Sequence, residues 1–313
     1  MNTFEKFYDA GLKSKISEYY RRLARVLLLS SITCVAISVV IVMLFVPGLK
    51  GFLVALIVGL VIAVVTSIVQ LAGARIKFSG WMLARILCFM AEDEDAKTVL
   101  RESTILDDAT FKKIKLFKME NCRRYGSNFT RFLYKQNHPM TFFDFVLYNW
   151  KWSGQKWEKE YIFKGFVLSL AFQKDIKQDI QLIPKGIFGN GISVTGNKIT
   201  IENEKLACNY TIYCRDEIEA RKVLTLDFME KIVRLNEVFP QKKYLSFRDD
   251  DMLTIFIEDF TVGSLRRRSL PLFKNQNAIE RSVREIWNRA ARIFKILDVL
   301  DVEKNRQNSM IGK

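Results

Sequence analysis

Two long apolar runs near the N-terminus constrain the fold of this chain more than any other feature. Val26–Val46 and Phe52–Gly73 contain no Asp, Glu, Lys, Arg or His. Each run has 21 or 22 residues, and at about 1.5 Å per helical residue this length spans the ~30 Å hydrocarbon core of a bilayer. Backbone polar groups find no partners in lipid. Because only the turn Pro47–Gly51 separates the runs, residues 26–73 are predicted to form a transmembrane helical hairpin.

The flanks of this hairpin predict its orientation. Lysine and arginine in short flanks favour the cytoplasmic side of a membrane. The turn carries only Lys50, whereas the basic residues next to the runs are Lys13, Lys15, Arg21, Arg22 and Arg25 before them and Arg75, Lys77 and Arg85 after them. Both termini are therefore expected in the cytoplasm. A cleaved signal peptide is the competing interpretation, but the first run is too long and a second run follows at once.

Small residues recur at every fourth position in both runs and predict how the helices pack. In an antiparallel hairpin, residues at equal depth have position numbers with a constant sum. This arithmetic pairs Ser38 with Gly59, Cys34 with Ala63, and Ser30 with Ser67, and Ala55 continues the series. Small residues facing one another allow close backbone approach in membrane helices. The alternative is that such residues are simply common in membrane helices.

The remaining chain is long enough for a sizeable folded domain, and it is basic. The 313 residues carry a net charge of +15, from 49 basic and 34 acidic residues. Removing six basic and three acidic residues before position 26, and Lys50, leaves 42 basic and 31 acidic residues. This excess suits anionic lipid headgroups. Nucleic acid would also suit it, but no recognisable nucleic-acid module is present, so membrane lipid is the expected partner.

The hydrophobic periodicity divides the chain into five regions. Residues 1–25 read as a cytoplasmic amphipathic helix, which either lies on the membrane or packs on the soluble part. After the hairpin, residues 74–125 are predicted to be a helical connector, and residues 303–313 a polar tail. Residues 126–302 mix hairpin signals with amphipathic helices, which indicates a cytoplasmic α+β domain with an antiparallel sheet flanked by helices.

Within that domain, turn residues between β-rich runs predict individual elements. The predicted hairpins are 142–152 with 157–172, 192–195 with 198–202 around Gly196-Asn197, and 244–247 with 252–257. A further strand is expected at 207–214, and helices at 216–224, 226–239 and 277–301.

Few residues could carry catalytic or metal chemistry. His138 is the only histidine, and the five cysteines include no C-x-x-C pair, although Cys208 and Cys214 lie close in sequence. Asp249–Asp251 could bind a divalent cation or could be an exposed hairpin turn. Gly186–Gly191 lacks the Lys-Ser/Thr ending of a phosphate loop. We therefore expect no catalytic residue, no metal site and no cofactor.

One basic run is a candidate for ligand binding. The guanidinium groups of Arg266, Arg267 and Arg268 could meet a phosphate of a lipid headgroup or a nucleotide. A solvated loop is the alternative explanation, because isolated basic runs carry little specificity.

A motif at 216–225 joins a predicted strand to two short helices. Asp216 can cap the first helix, Glu217 and Arg221 are spaced for a salt bridge, and Thr225 can start the next helix. The pattern, which also includes Ala220 and Leu224, resembles the signature of a bacterial membrane family known as domain of unknown function three-one-three-seven. The two apolar runs, the segment Phe163–Phe166 and the final helix are similar to that family too. Ile212 stands where the signature usually has Val.

The resemblance implies a multi-pass protein of the bacterial inner membrane with no established catalytic residues. It also implies a partnership with a LemA-type membrane protein, because genes of the two families are often neighbours. Two function classes follow. The first is a membrane-anchored, non-enzymatic interaction or scaffold protein that binds another protein or itself. The second is an enzyme, or a module that binds anionic lipid or phosphate at the inner leaflet.

Overall fold

A computed structural model describes most of the chain and divides it into two compact units. The units are Met1–Ser79 with Arg266–Glu285, and Gly80–Leu265 with Ile286–Lys313. The described residues are 3–45, 48–91, 116–118, 122–134, 138–172, 176–186, 192–248, 251–259 and 276–300.

Long helices dominate the first unit. Helix α1 (Thr3–Phe7) continues through a π-helical turn (Tyr8–Leu12) into α2 (Lys13–Phe45), and α3 (Leu49–Ala91) follows after a short turn. Two segments, Lys13–Val42 and Gly51–Ala74, are long and apolar enough to cross a membrane. Their apolar side chains are largely exposed, as at Ile57 (66%) and Val69 (65%). Both helices therefore extend beyond the predicted runs, and each leaves an apolar surface that the protein does not cover.

The N-terminal helical segment is buried on one side by protein. Phe4, Tyr8 and Leu12 are all buried, as are Phe7 and Ile16. The last helix of the chain, α7 (Gln276–Leu300), begins in the same unit. Its Arg284 guanidinium lies 4.2 Å from the centre of the Phe4 ring. Within this unit, the buried face of the N-terminal segment thus contacts the start of the last helix.

An eight-stranded antiparallel sheet is the centre of the second unit, counted over the described residues. Its spatial order is β1-β2-β3-β8-β7-β4-β6-β5. The strands are β1 (Arg123–Tyr134), β2 (His138–Trp152), β3 (Trp157–Ala171), β4 (Ile180–Pro184), β5 (Asn197–Ile199), β6 (Tyr210–Cys214), β7 (Lys243–Arg248) and β8 (Met252–Glu258). Three shorter helices join them: α4 (Glu204–Asn209), α5 (Glu217–Val223) and α6 (Leu226–Val238).

Helices cover one face of this sheet. Phe228 of α6 packs against Phe172 and Phe247, with ring centroids 5.1 and 5.7 Å away. The second part of α7 contacts β1, where Phe294 lies 6.0 Å from Phe132. The Tyr134 hydroxyl donates a hydrogen bond of 2.6 Å to Asp298. Burial of these aromatic side chains supplies much of the hydrophobic free energy that holds helices to sheet.

An aromatic cluster covers the other face. Phe117 lies at its centre, 5.2 Å from the Phe256 ring and 5.6 Å from the Phe163 ring. Phe145 and Tyr244 complete the inner group, and all these residues are buried. Together with the helical face, this cluster confirms the predicted α+β class and the antiparallel sheet.

The predicted boundary between connector and domain is wrong. Helix α3 ends at Ala91, and β1 already begins at Arg123, so residues 123–125 are strand and not helix. Leu116 and Phe117 belong to the core of the sheet domain. The basic residues and Gly126 of β1 hide its strand character in the sequence. Residues 92–115 of the connector, and the tail 303–313, lie outside the described residues.

The predicted hairpin around Gly196-Asn197 is also wrong. β5 pairs with β6, while Ile192 forms a bridge to Phe117. Gly196 has a φ of 85° and lies directly against the Cys214 carbonyl. A glycine is needed here because the two backbones come too close for a side chain, and not because the chain forms a hairpin turn. The strand predicted at 207–214 begins only at Tyr210, because the Asn203 side chain caps α4 by accepting from the Leu206 amide at 2.9 Å.

Other elements follow the sequence closely. The hairpins β2–β3 and β7–β8 are present, and β7 extends one residue beyond its predicted end because Arg248 pairs with Met252. Helices α5, α6 and α7 differ from their predicted bounds by one residue at each end at most.

Candidate interaction surface

The hairpin β2–β3 extends beyond its neighbours in the sheet. β1 pairs with β2 only as far as Tyr148, and β8 pairs with β3 only from Gly165 onward. Among the described strands, residues 149–160 therefore pair only with each other. We call Tyr148–Trp152, Trp157–Tyr161 and the turn between them the aromatic ribbon.

The register of the aromatic ribbon places its aromatic side chains on one face. Tyr148 is opposite Tyr161, and Trp152 is opposite Trp157; Trp150 is opposite Lys159. Successive side chains of a strand point to opposite faces, so these three pairs share a face. The tryptophans are exposed, at 48% for Trp150, 52% for Trp152 and 63% for Trp157. Large exposed apolar side chains that cluster in this way mark an interaction surface.

One cation on that face, Lys159, lies over the rings of the aromatic ribbon. At the base of the ribbon, the Lys164 ammonium lies 5.5 Å from the centre of the Tyr161 ring. The Lys159 ammonium is 4.4 Å from the centre of the Tyr148 ring and 5.4 Å from that of Trp150. Cation–π attraction at such distances contributes about 0.5–1 kcal/mol at exposed sites. The rings of Trp152 and Trp157 meet at 5.6 Å in an edge-to-face arrangement. The aromatic side chains of this face therefore contact the lysine and one another.

The opposite face of the aromatic ribbon is charged. Lys151 and Glu160 form an ion pair of 3.3 Å, and their partners across the strands, Glu158 and Asn149, are also polar. Gly154 closes the turn with a φ of 92°, a conformation that L side chains rarely adopt. The Ser153 amide donates to the Lys156 carbonyl at 3.0 Å. The aromatic ribbon thus has one aromatic face and one charged face.

The motif at 216–225 is built into the fold by local contacts. The Asp216 carboxylate accepts from the Ile218 amide at 2.8 Å, and the Thr225 hydroxyl accepts from the Phe228 amide at 3.4 Å. Ala220 and Leu224 are buried. The Gln178 side-chain carbonyl accepts from the amides of Arg215 and Asp216, at 3.1 and 2.8 Å. The turn from strand to helix is therefore stabilised by hydrogen bonds to the side chains of both Gln178 and Asp216.

The charged members of the motif pair with each other on the surface. The Arg221 guanidinium donates to Glu217 and to Glu202, each at 2.8 Å. Hydrogen bonding to Glu217, and then to Glu202, raises the pKa of Arg221. Solvent screens such exposed pairs, so they contribute little to stability. Every motif residue therefore has a contact within the domain that accounts for its chemical type.

Small residues line the contact between α2 and α3. Gly59 lies so close to Ser38 that an added Cβ would be 3.0 Å from the Ser38 Cβ. Ala55 and Ala63 are buried. Farther from the turn the pairs shift: Ser31 bonds Ser67 at 3.1 Å, Ser30 bonds Gln70 at 3.0 Å, and the Cys34 thiol lies 3.9 Å from the Thr66 hydroxyl. The structure thus brings Ser38 against Gly59, while Ser30 bonds a residue three positions beyond Ser67.

Other predicted candidates either lie outside the described residues or have a structural contact. Arg266, Arg267 and Arg268 lie outside them, as do Asp249, Asp250 and most of Gly186–Gly191. Asp251 is a turn residue with a φ of 56°, and its carboxylate accepts from the Ile176 amide at 2.8 Å. His138 begins β2 opposite Tyr134. Within the described ranges, no three His, Cys, Asp or Glu side chains form a group that could hold a metal ion.

A buried ion pair and a buried lysine were not anticipated from the sequence. Arg289 of α7 forms a bidentate ion pair with Asp144 of β2, with both side chains at 5% exposure or less. Lys243 is 2% exposed, and burial lowers its pKa to about 8. Its ammonium donates to the carbonyls of Phe239 and Gln241 at the end of α6. Cations are favoured at a helix C-terminus, which explains the position of the Lys243 ammonium.

The aromatic ribbon is the surface that sequence reasoning missed. The sequence does contain its signal: Tyr148, Trp150 and Trp152 alternate with polar residues in a predicted strand. Alternation alone does not tell which face packs on the core. The aromatic side chains are exposed because β1 and β8 stop pairing before they reach this part of the hairpin. Those end points are known only from the structure of the sheet.

Comparison with known proteins identifies one family. Residues 161–301 match the model of a family described as protein of unknown function (DUF3137). The match covers the segment Phe163–Phe166, the motif at 216–225 and the last helix, which also carry the resemblance seen in the sequence, and it does not include the two apolar runs. The chain matches no curated protein and no solved structure.

Proposed function

Since residues 161–301 match the model of the DUF3137 family, we propose that the chain is a membrane-anchored, non-enzymatic interaction protein of the bacterial inner membrane. In this proposal the helical hairpin holds the sheet domain at the cytoplasmic surface. The sheet domain then acts by binding, as a scaffold for another protein or for a second copy of the chain.

The exposed apolar surface of α2 and α3 supports the anchoring. In the two candidate spans, Lys13–Val42 and Gly51–Ala74, only 6% and 17% of the most apolar window is buried inside the protein. A core helix of a soluble protein would bury such residues. Eight basic residues flank the hairpin and one lies in its turn, which supports cytoplasmic termini.

The aromatic ribbon is the observation that carries an interaction role. Its tryptophans stay exposed although their rings contact Tyr148 and one another, whereas the charged residues of the motif at 216–225 are used in caps and ion pairs. Residues with structural contacts are poor candidates for a reactive centre, and a patch of exposed aromatic side chains is typical of binding. Binding is therefore better supported than catalysis.

Crosslinking in intact membranes tests this proposal. The full chain, tagged at its C-terminus, is crosslinked in isolated membranes, solubilised in detergent and captured, and co-purifying proteins are identified. We expect the chain to remain in the membrane pellet after alkaline carbonate washing, and to crosslink to itself or to one defined protein. A LemA-type protein is the first candidate because of the family resemblance. Release by carbonate would contradict the anchoring, and a chain that stays monomeric without partners would contradict the scaffold role.

A further inference from the structure

We propose that the aromatic face of the aromatic ribbon binds the interface of an anionic lipid bilayer. The inference rests on the membrane anchoring proposed above, and it adds a second, reversible membrane contact made by the sheet domain. The contact would be made by Trp150, Trp152, Trp157 and Tyr161, with Lys159 among them.

The side chains of this face are of the types that favour the headgroup region. Trp and Tyr have an apolar body and a polar tip, and they are enriched where hydrocarbon meets water. The exposed face contains Trp and Tyr but no Leu, Ile or Val between Tyr148 and Tyr161. Such a surface matches the shallow interface and does not match the hydrocarbon core.

The cation on the face distinguishes a lipid ligand from a protein ligand. Protein–protein interfaces are enriched in Trp, Tyr and Arg but depleted in Lys. From Tyr148 to Lys164 the ribbon and its base carry four lysines, at positions 151, 156, 159 and 164, and no arginine. Lysine stems lie along apolar surface while the ammonium reaches water or phosphate. Lys159 already lies in this manner over Tyr148 and Trp150.

The charge balance agrees with an anionic surface. The four lysines face only two carboxylates in this stretch, Glu158 and Glu160, and both carboxylates are paired on or near the charged face. The whole chain has a net charge of +15. Each basic residue near an anionic leaflet contributes about 1 kcal/mol to its attraction. The apolar face and the basic residues therefore favour the same ligand.

Quenching of tryptophan fluorescence by brominated lipid tests the proposal on the full chain. The chain contains five tryptophans. Replacing Trp81 and Trp287 with Phe leaves only Trp150, Trp152 and Trp157 as reporters. This variant is reconstituted into nanodiscs of phosphatidylcholine and phosphatidylglycerol, with or without bromine on the acyl chains. We expect bromine to reduce the emission, and the reduction to be smaller when phosphatidylglycerol is omitted.

Two lysine variants provide a matched pair within one hairpin. Lys159→Gln removes a charge from the aromatic face, and Lys151→Gln removes the same charge from the opposite face. The loss of one lysine from the contact should lower the ratio of bound to free ribbon about fivefold. The quenching should therefore fall much more in Lys159→Gln than in Lys151→Gln. Equal effects of the two variants would contradict the assignment of the face.

The outcomes separate this inference from the anchoring on which it rests. If the chain does not incorporate into nanodiscs, the anchoring itself is wrong. If it incorporates but the three tryptophans are not quenched, the lipid assignment is overturned. If they are unquenched and Trp152→Ser with Trp157→Ser abolishes crosslinking to a protein in membranes, the face binds protein instead.

Discussion

Buried ionic residues give the sharpest tests at the scale of single side chains. Arg289 and Asp144 lie between α7 and β2 with almost no solvent contact. Arg289→Met should destabilise the sheet domain by about 3–5 kcal/mol, because the Asp144 carboxylate loses its guanidinium partner in a buried site. Chemical denaturation of the full chain in detergent, followed by circular dichroism, measures the loss.

The matched control is the double variant Asp144→Leu with Arg289→Met, which replaces both charges by apolar groups. Removing a buried pair completely is often neutral or stabilising, so the double variant should recover most of the stability. A double variant that is less stable than Arg289→Met would show that the pair is needed for a reason other than charge compensation.

Lys243 makes stability depend on pH. Burial lowers its pKa from 10.5 to about 8. Below pH 8 the ammonium is protonated in both the folded and the unfolded chain. Between pH values of about 8 and 10.5 the folded chain holds fewer protons, so the contribution of Lys243 to the free energy of unfolding rises with pH.

Comparison with Lys243→Met isolates this effect from other titrating groups. The variant also loses the hydrogen bonds to Phe239 and Gln241, which adds a constant cost. We expect the stability difference to shift in favour of the wild type as pH rises through this window. Denaturation midpoints at a series of pH values give the difference, and a difference that does not change with pH would refute the lowered pKa.

Asp216 tests whether the motif at 216–225 is architectural. Asp216→Ala removes the cap on α5 and should cost about 0.5–2 kcal/mol. Glu217→Ala removes only a surface pair and should cost a few tenths of a kcal/mol. Both variants should still crosslink to the same partner. Loss of the partner at an unchanged melting temperature would identify the motif as a binding site.

At the scale of elements, the contact between α2 and α3 depends on Gly59. A side chain there would meet Ser38 and the Val35 backbone, at 3.0 and 3.1 Å from an added Cβ. Gly59→Leu should therefore separate the helices and destabilise the hairpin by about 1–3 kcal/mol. Thermal denaturation in detergent, followed by helical circular dichroism, measures the effect.

Gly73 on the same helix is the matched control. An added Cβ at Gly73 meets nothing within 4 Å, so Gly73→Leu should leave the melting temperature unchanged or slightly higher, since Leu is the better helix former. Equal losses in the two variants would indicate that close approach at Gly59 does not hold the hairpin together.

Elements with a local signal were predictable from the sequence. The apolar runs identify the two long helices, although both helices extend well beyond them. The amphipathic stripe of α7 and the caps at Asp216 and Thr225 each fix a helix within a residue or two. The hairpins β2–β3 and β7–β8 have polar turns of three or four residues between β-rich runs. Such elements need no information from distant parts of the chain.

Elements that depend on distant partners were not predictable. β1 contains three arginines and a register shift between Ser127 and Thr130, which interrupts the alternation of apolar and polar residues. β4 and β5 are short, and their pairing with β6 and β7 brings together segments far apart in sequence. The exposure of the aromatic ribbon has the same cause, because it depends on where β1 and β8 end.

At the scale of the whole molecule, the proposed orientation predicts that the turn between the two apolar runs is accessible from outside the cell and that the C-terminus is not. After the native cysteines are replaced by serine, Leu49→Cys should react with an impermeant thiol reagent in intact cells. Lys313→Cys should react only after the membrane is permeabilised, because the flanking basic residues favour the cytoplasm. The reverse labelling pattern would overturn the orientation.

During synthesis, β3 is made well before its partner strand β8. β3 ends at Ala171 and its partner β8 ends at Glu258, which is 87 residues later (258 − 171). At about 5–20 residues per second, the ribosome needs roughly 4–17 s to make that segment. Throughout this interval β3 presents an open strand edge that can pair with other nascent chains. Slower translation after residue 171 should therefore increase aggregation, although the finished protein is unchanged.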